Sequence, residues 1–314
     1  MGIPFHQASP DVQIALTEFR SEFMLALMQG AVDAWADQLG TSVTSKSLRL
    51  RFPVPVSAAG YSEFVGDMKY RSLYQKHLEM LPKTWQDGIA ELASVVESDE
   101  FIGWQQEPAA MAQAALSLPN DLVVALLEAG ASTTCWDGDF FFGNAHPVNV
   151  FDTGAGTFDN LETGGGSAFS LANVKIADKK FRERVGPNGK NLGLRMTHCL
   201  VPPALAWEAK DVFANSQTVL VVGSDFAAAD NLMRGYAQVV EANELTSTTA
   251  WYPLALNKPG LRPWIVQTDG APETIILDRS SHLYQSQLKV GMSSIRRANA
   301  QLAMPVCIQR WAGA

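Results

Sequence analysis

Apolar residues recur at spacings of three and four from Val12 to Leu27, at Val12, Ala15, Leu16, Phe19, Phe23, Ala26 and Leu27. That period marks one face of an α-helix. Ser9 suits the N-cap and Pro10 the first helical position. Gly30 ends or weakens the helix, and residues 31–39 form a second short piece. From Leu48 to Val56 the period changes to two. Leu48, Leu50, Phe52, Val54 and Val56 share one face, while Arg49, Arg51, Pro53 and Pro55 share the other. This is a half-buried strand. Backbone N–H groups alternate sides along a strand, so the two prolines remove donors from one edge only. The strand therefore lies at a sheet edge or in a two-stranded ribbon. A ribbon alone is marginal in water, so its apolar face needs cover from the body or from a neighbour.

Further along, Tyr61 to Trp85 reads as an extended aromatic loop with one helical turn around Tyr70 to Met80. Ile89 to Val96 fits helical spacing as well as a strand, and its β-branched residues favour a returning strand. Trp104 to Ala129 is the strongest helix, rich in alanine. Pro119 should kink or divide it, with Asn120 or Asp121 recapping and Gly130 at C′. Phe140 to Gly166 is rich in turns, and its Gly154 and Gly164–Gly166 stretches mark a mobile loop. Leu171 to Arg184 is a helix with a basic end. Gly186 to Gly189 is a turn, and Pro203 to Asn215 is another helix. The remainder is β-rich, with strands at Ala237–Val240, Trp264–Gln267, Thr274–Leu277, Leu288–Met292 and Val306–Ile308.

The 314 residues allow one large domain or two modest ones. Charged residues make up only 18%, against a usual ~25%. So few charges suit a subunit that hides surface against neighbours. A net charge of −8 argues against a protein that coats nucleic acid. No run of about 18 apolar residues predicts a membrane helix. The N-terminus shows no basic-then-apolar leader, and no large scaffold domain is expected ahead of the first helix. Cys135, Cys199 and Cys307 form no disulfide framework and read as reduced thiols. Cys135, Asp137, Asp139 and His146 carry ligand-type atoms but lack metal-site spacing. His198 and Cys199 are adjacent, so on a strand they face opposite ways and make no nucleophile–base pair. The turn at Gly186–Lys190 lacks phosphate-loop spacing. Neither a cofactor nor a metal is expected.

The stretch DLVVALLEAGASTTCWDGDFFFGNAHPV, Asp121 to Val148, resembles the Mu-like bacteriophage major head subunit family. The resemblance lies in Leu126, Leu127, Ala129, Gly130, Trp136, Asp137, Gly138, Phe141, Phe142, His146 and Pro147. Phe19, Phe23 and Trp35, the helix opening Leu171-Ala172-Asn173, the block Leu200 to Leu205 with Glu208 and Ala209, and Trp251-Tyr252 agree in the same order. The resemblance implies an α+β protein with the HK97-type capsid fold. Its parts would be an N-terminal arm (1–43), a two-stranded E-loop with flanking strands (44–97), and a peripheral domain with a long spine helix (98–150). A mainly axial domain (151–273) and C-terminal strands (274–314) would follow. It implies a major capsid protein of a tailed double-stranded DNA phage, forming hexamers and pentamers of an icosahedral shell. The chain would be assembled in the bacterial host cytoplasm and located in the virion. Expected partners are the chain itself, a portal, scaffold or decoration proteins, and packaged DNA without sequence-specific contacts; no membrane is expected. Phe19, Phe23, Trp35, Leu48, Leu50, Phe52, Val54 and Val56 are the expected inter-subunit residues. An encapsulin-like compartment is the alternative. An intracellular α/β enzyme using Cys199 or Cys135 is the remote one.

Overall fold

The computed structural model describes residues 10–30, 34–54, 66, 76–97, 106–222 and 225–313. Ser9, Pro55, Val56, Trp104 and the loop residues 61–65 and 67–75 lie outside them. The N-terminal part holds α1 (Pro10–Gln29), α2 (Trp35–Leu39), β1 (Thr41–Thr44), β2 (Leu50–Pro53), β3 (His77–Met80) and β4 (Lys83–Leu92). Next come α3 (Ala93–Glu97), α4 (Glu107–Ala129), and the short strands β5 (His146–Pro147), β6 (Thr157–Phe158) and β7 (Leu161–Glu162). The middle carries α5 (Leu171–Arg182), β8 (His198–Val201), α6 (Ala206–Ala214), β9 (Gln217–Val222), β10 (Asp225–Asp230), β11 (Gln238–Glu241) and β12 (Tyr252–Leu254). The chain closes with β13 (Trp264–Thr268), β14 (Glu273–Leu277), α7 (His282–Gln287), β15 (Lys289–Leu302) and β16 (Arg310–Trp311).

The long strand β15 organises the main sheet. β4 pairs along one edge from Lys289 to Ala298. β14 and then β13 pair along the other edge, and β1 adds in parallel to β13. Gly291 is required at the β15–β4 crossing, because a Cβ there would lie 1.9 Å from the Ile89 carbonyl oxygen. The expected strand from Ile89 is thus the end of a longer one, and Ala93 to Val96 turn into α3. The expected helical turn ending at Met80 is a strand over its described part. Val306 to Ile308 is not a strand: Pro305–Cys307 form a 3₁₀ turn, and Ile308 bridges Leu254 alone.

The periodic stripe of α1 is its inner face. Val12, Leu16, Phe19 and Phe23 are buried with Met111 and Ala112 of α4 and with Val290 and Met292 of β15. Helix α4 is neither divided nor recapped at Pro119. Proline has no N–H for the carbonyl four residues back. Arg296 of β15 fills that vacancy, donating from Nη1 to the Ala115 carbonyl at 2.5 Å. Asn120 is buried and ties elements together. Its Oδ1 accepts the Ala36 N–H, and its Nδ2 donates to Glu244. Gly130 follows α4 with φ −63°, so its role is close approach; a Cβ there would lie 2.6 Å from the Phe142 ring. By length and hydropathy α4 would suit a bilayer span. It packs on α1, α2 and β15, and that packing accounts for its apolar content.

A smaller sheet of β11, β8 and β12 separates two cores. Leu200, Tyr252 and Leu254 face a core with Trp35, Leu127, Phe142 and Trp264. Cys199, Val201 and Trp251 face a core with α5 and α6, around Phe181 and Phe213. Both faces are buried, so these strands show no alternation of apolar and polar residues.

Candidate functional site

The central block begins where α4 ends. Gly138, at φ +103°, turns the chain, and the carboxylate of Asp137 meets Nδ1 of the fully buried His146 at 2.7 Å. Nε2 of the same ring faces the Phe141 carbonyl at 3.1 Å. Both ring nitrogens are thus engaged within the chain. Asn160 completes the knot, accepting the Gly143 N–H and donating to the Phe141 and Pro305 carbonyls. These are the bonds of a structural latch, in which His146 is fully occupied.

The thiols are equally committed. Burial, with the Asp137 charge beside it, pushes the Cys135 thiol up to about 12. Burial raises Cys199 further and pushes Cys307 up to about 12. Protonated thiols are poor nucleophiles. Burial, with Arg262 nearby, lowers His198 below the usual histidine range. Among the described residues no three His, Cys, Asp or Glu side chains gather as metal ligands.

The ribbon forms as the alternation predicts. β2 and β3 pair antiparallel, with Leu50 opposite Met80 and Phe52 opposite Leu78. The Val54 N–H donates to the Lys76 carbonyl. Residues 51 and 53 therefore present their edge away from β3, where Pro53 has no donor to offer. On the outer face Arg49 grips Glu79 through two hydrogen bonds, one at 2.6 Å and one from Nε. The ribbon's inner face is covered by its own chain. Val54, Leu78 and Met80 are buried with Ile265, Met304 and Cys307, and Leu50 and Phe52 are half-buried against them. Leu48 is 71% exposed.

The expected inter-subunit residues therefore separate. Phe19, Phe23, Trp35 and Val54 are buried inside the chain. Trp35 meets Trp264 edge-on at 6.0 Å and donates to Glu244. Phe19 and Phe23 pack α1, Trp35 packs α2 and Val54 packs the ribbon onto the rest of this chain. Leu48, Leu50 and Phe52 retain exposed surface, and Val56 lies outside the described residues.

Sequence reasoning missed a cleft of about 560 Å³ beside the central block. The 186–192 turn, residues 258–261 and residues 304–306 form it with Trp136 and Phe158. Next to it Arg184 is 4% exposed, lies 4.2 Å over the Phe158 ring and donates to the Asp159 carbonyl. Burial, partly offset by Asp159, pushes its guanidinium down to about 10. The basic end of α5 was legible in the sequence, but the inward turn of Arg184 was not.

A long helix laid across a β15-centred sheet, a two-stranded ribbon and a mixed α/β lobe make up the fold. The procapsid of bacteriophage JBD30 superposes on 98% of this chain and 76% of that chain, with TM-score 0.56 and 16% identity. The capsid of a native GTA particle covers 88% of this chain and 89% of its own, with TM-score 0.52 and 12% identity. The protein has the α+β, HK97-type capsid fold. Two sequence families match it: Mu-like prophage major head subunit gpT over residues 12–177, more than half of the chain, and phage capsid protein over residues 95–294. The chain belongs to the Mu-like prophage major head subunit family. The Mu-like prophage FluMu major head subunit of Haemophilus influenzae is 25% identical over 203 residues, which span 61% of this chain and 61% of that protein.

Proposed function

We propose that this chain is the major capsid protein of a tailed double-stranded DNA phage, assembling through hexamers and pentamers into an icosahedral shell around the genome. The observation that carries the reading is family membership over more than half of the chain, joined to a capsid fold over nearly all of it. The role is structural, without a catalytic step. The shell forms in the bacterial host cytoplasm and becomes the virion head. Its further partners are a portal, a scaffold or decoration protein, and DNA held without sequence-specific contacts. The division into arm (1–43), E-loop with flanking strands (44–97), peripheral (98–150) and mainly axial (151–273) parts, with C-terminal strands (274–314) completing the peripheral and axial parts, belongs to the same proposal. One refinement follows from β13, which pairs with β15 and so sides with the peripheral part.

Negative-stain electron microscopy of the expressed chain and of native particles tests this. Closed shells or capsomer rings are expected, with nuclease-resistant DNA inside the native ones. A uniform small oligomer from both sources overturns the proposal. Shells that hold protein cargo and no DNA would replace the virion with a cellular compartment.

A further inference from the structure

Helix α6 begins with an apolar knob that its own chain leaves uncovered. Pro203 and Ala204, in the turn that leads into the helix, are exposed, and so is Trp207 in its first turn. Trp207 is 77% exposed, although an indole has much apolar area to hide. Nζ of Lys210 lies 4.9 Å from the centre of its ring and 3.5 Å from the Glu241 carboxylate, so the ring is braced by its own helix and still open to solvent. Glu208 and Asp211 stand beside it on α6, both exposed and neither in an ion pair among the described residues. Asp211 accepts only the side-chain amide of Asn215.

The cleft at the 186–192 turn has the complementary chemistry. Leu192, Leu261, Met304 and Val306 give it apolar walls, and its volume of about 560 Å³ is ample for an indole. Lys190 and Lys258 line it, both exposed and neither in an ion pair among the described residues. The carboxylate in its wall, Asp137, is already engaged by His146. An aromatic knob flanked by carboxylates matches an apolar hole flanked by ammonium groups.

Strand register keeps this knob away from its own chain's cleft. β8 and β12 run antiparallel, with His198 opposite Leu254 and Leu200 opposite Tyr252. The 186–192 turn feeds β8 at its His198 end, and residues 258–261 follow β12 past Leu254, so the cleft belongs to that end of the sheet. Pro203 and Trp207 follow β8 past Val201, at the opposite end. The edges differ as well: α6 packs on β11, whereas β12 at the other edge packs on α5. A knob and a hole on opposite sides of one subunit meet only between copies, in a head-to-tail contact that closes a ring when the rotation per subunit allows.

We infer that Trp207 of one copy inserts into the Lys190–Lys258 cleft of the next copy, with Glu208 and Asp211 toward the two lysines. The inference rests on the shell reading above and gives the capsomer ring one anchored contact.

Substitution and charge exchange test it in the full-length chain. Trp207→Ala, Glu208→Lys with Asp211→Lys, and Lys190→Glu with Lys258→Glu should each lower the yield of sedimenting shells by about tenfold or more. The four charge changes together should recover it to within about threefold of the unaltered chain. Any of the first three leaving the yield unchanged, or the fourfold variant doing no better than the pairs, overturns the contact. All five side chains are exposed, so the urea midpoint of the free subunit should hold in every variant. A photo-crosslinking benzoylphenylalanine at position 207, in mixed light and heavy isotope chains, gives a second reading and decides the matter for any variant that fails to fold. Inter-chain products with residues 185–192, 258–261 or 304–306 are expected. Products within one chain only, with other regions only, or with a different protein only, overturn the contact. The absence of shells from the unaltered chain would count against the capsid reading instead, and the crosslink would still decide the contact in smaller oligomers.

Discussion

Pro119 breaks the rule for a helix interior, and the structure shows what offsets it. The missing N–H leaves the Ala115 carbonyl without its helical partner, and Arg296 donates to it from the sheet. Arg296→Met keeps the stem's packing but removes the donor. The expected loss is about 1–3 kcal/mol in urea unfolding of the free subunit. Pro119→Ala restores a backbone N–H at that position, so the same substitution in that background should cost less. The coupling should be about 0.5–3 kcal/mol; equal costs in both backgrounds would remove this role from Arg296. The sequence marked Pro119 as a break because the compensating residue lies 177 positions away in the numbering. Asn120 was misread for a related reason. Its recapping potential is local, whereas its actual partners, Ala36 and Glu244, arrive through tertiary packing.

Elements with one solvated face were legible from their period, and elements buried or solvated on both faces carry no such period. The stripes of α1 and of β2 could be read because burial alternates with exposure along each. β12 is buried at every position, and the first six residues of β4 are all exposed, so neither pattern has a period to detect; β13, also buried throughout, was read as the strand Trp264–Gln267 from its residue types. Leu50→Asp on β2 should reduce shell yield more than it reduces the subunit's unfolding midpoint, and an unchanged particle yield would count against a role for the ribbon in assembly. Helix α5 makes a pH-dependent prediction. Burial raises the Asp159 carboxyl, but the hydrogen bond and charge of Lys180 outweigh it and hold Asp159 below its usual range. Burial lowers Lys180, and bonds to Asp159 and Glu162 outweigh that and raise it. Asp159 therefore adds stability above its unfolded value of about 3.9 and loses it as pH falls through the lower folded value. Lys180 adds stability below about 10.4 and loses it as pH rises through the raised folded value. Lys180→Met should thus lower the melting temperature at pH 7 and shrink its fall between pH 7 and pH 3. An equal fall in both proteins would show that the tether contributes nothing.

At the scale of the whole molecule, the sparse charge was legible in the composition, while the internal division into cores was not. The three-stranded sheet is a shared wall. Successive residues of β8 face opposite cores, as do Trp251 and Tyr252. A strand cannot leave one core without opening the other, so the two lobes should unfold together despite a size at which intermediates are common. The tryptophans make this testable. Trp35 and Trp264 report on one core, and Trp251 stacked on Trp311 at 4.9 Å reports on the other. Leu127→Ala in the first core should cost about 2–5 kcal/mol and Phe181→Ala in the second about 3–5 kcal/mol. Each should move a single urea transition of the unassembled subunit, with fluorescence and far-ultraviolet circular dichroism midpoints coinciding. If Phe181→Ala instead releases part of the fluorescence change at low urea while the rest follows the helical signal, the wall does not couple the cores. The two lobes on either side of it would then be separate folding units.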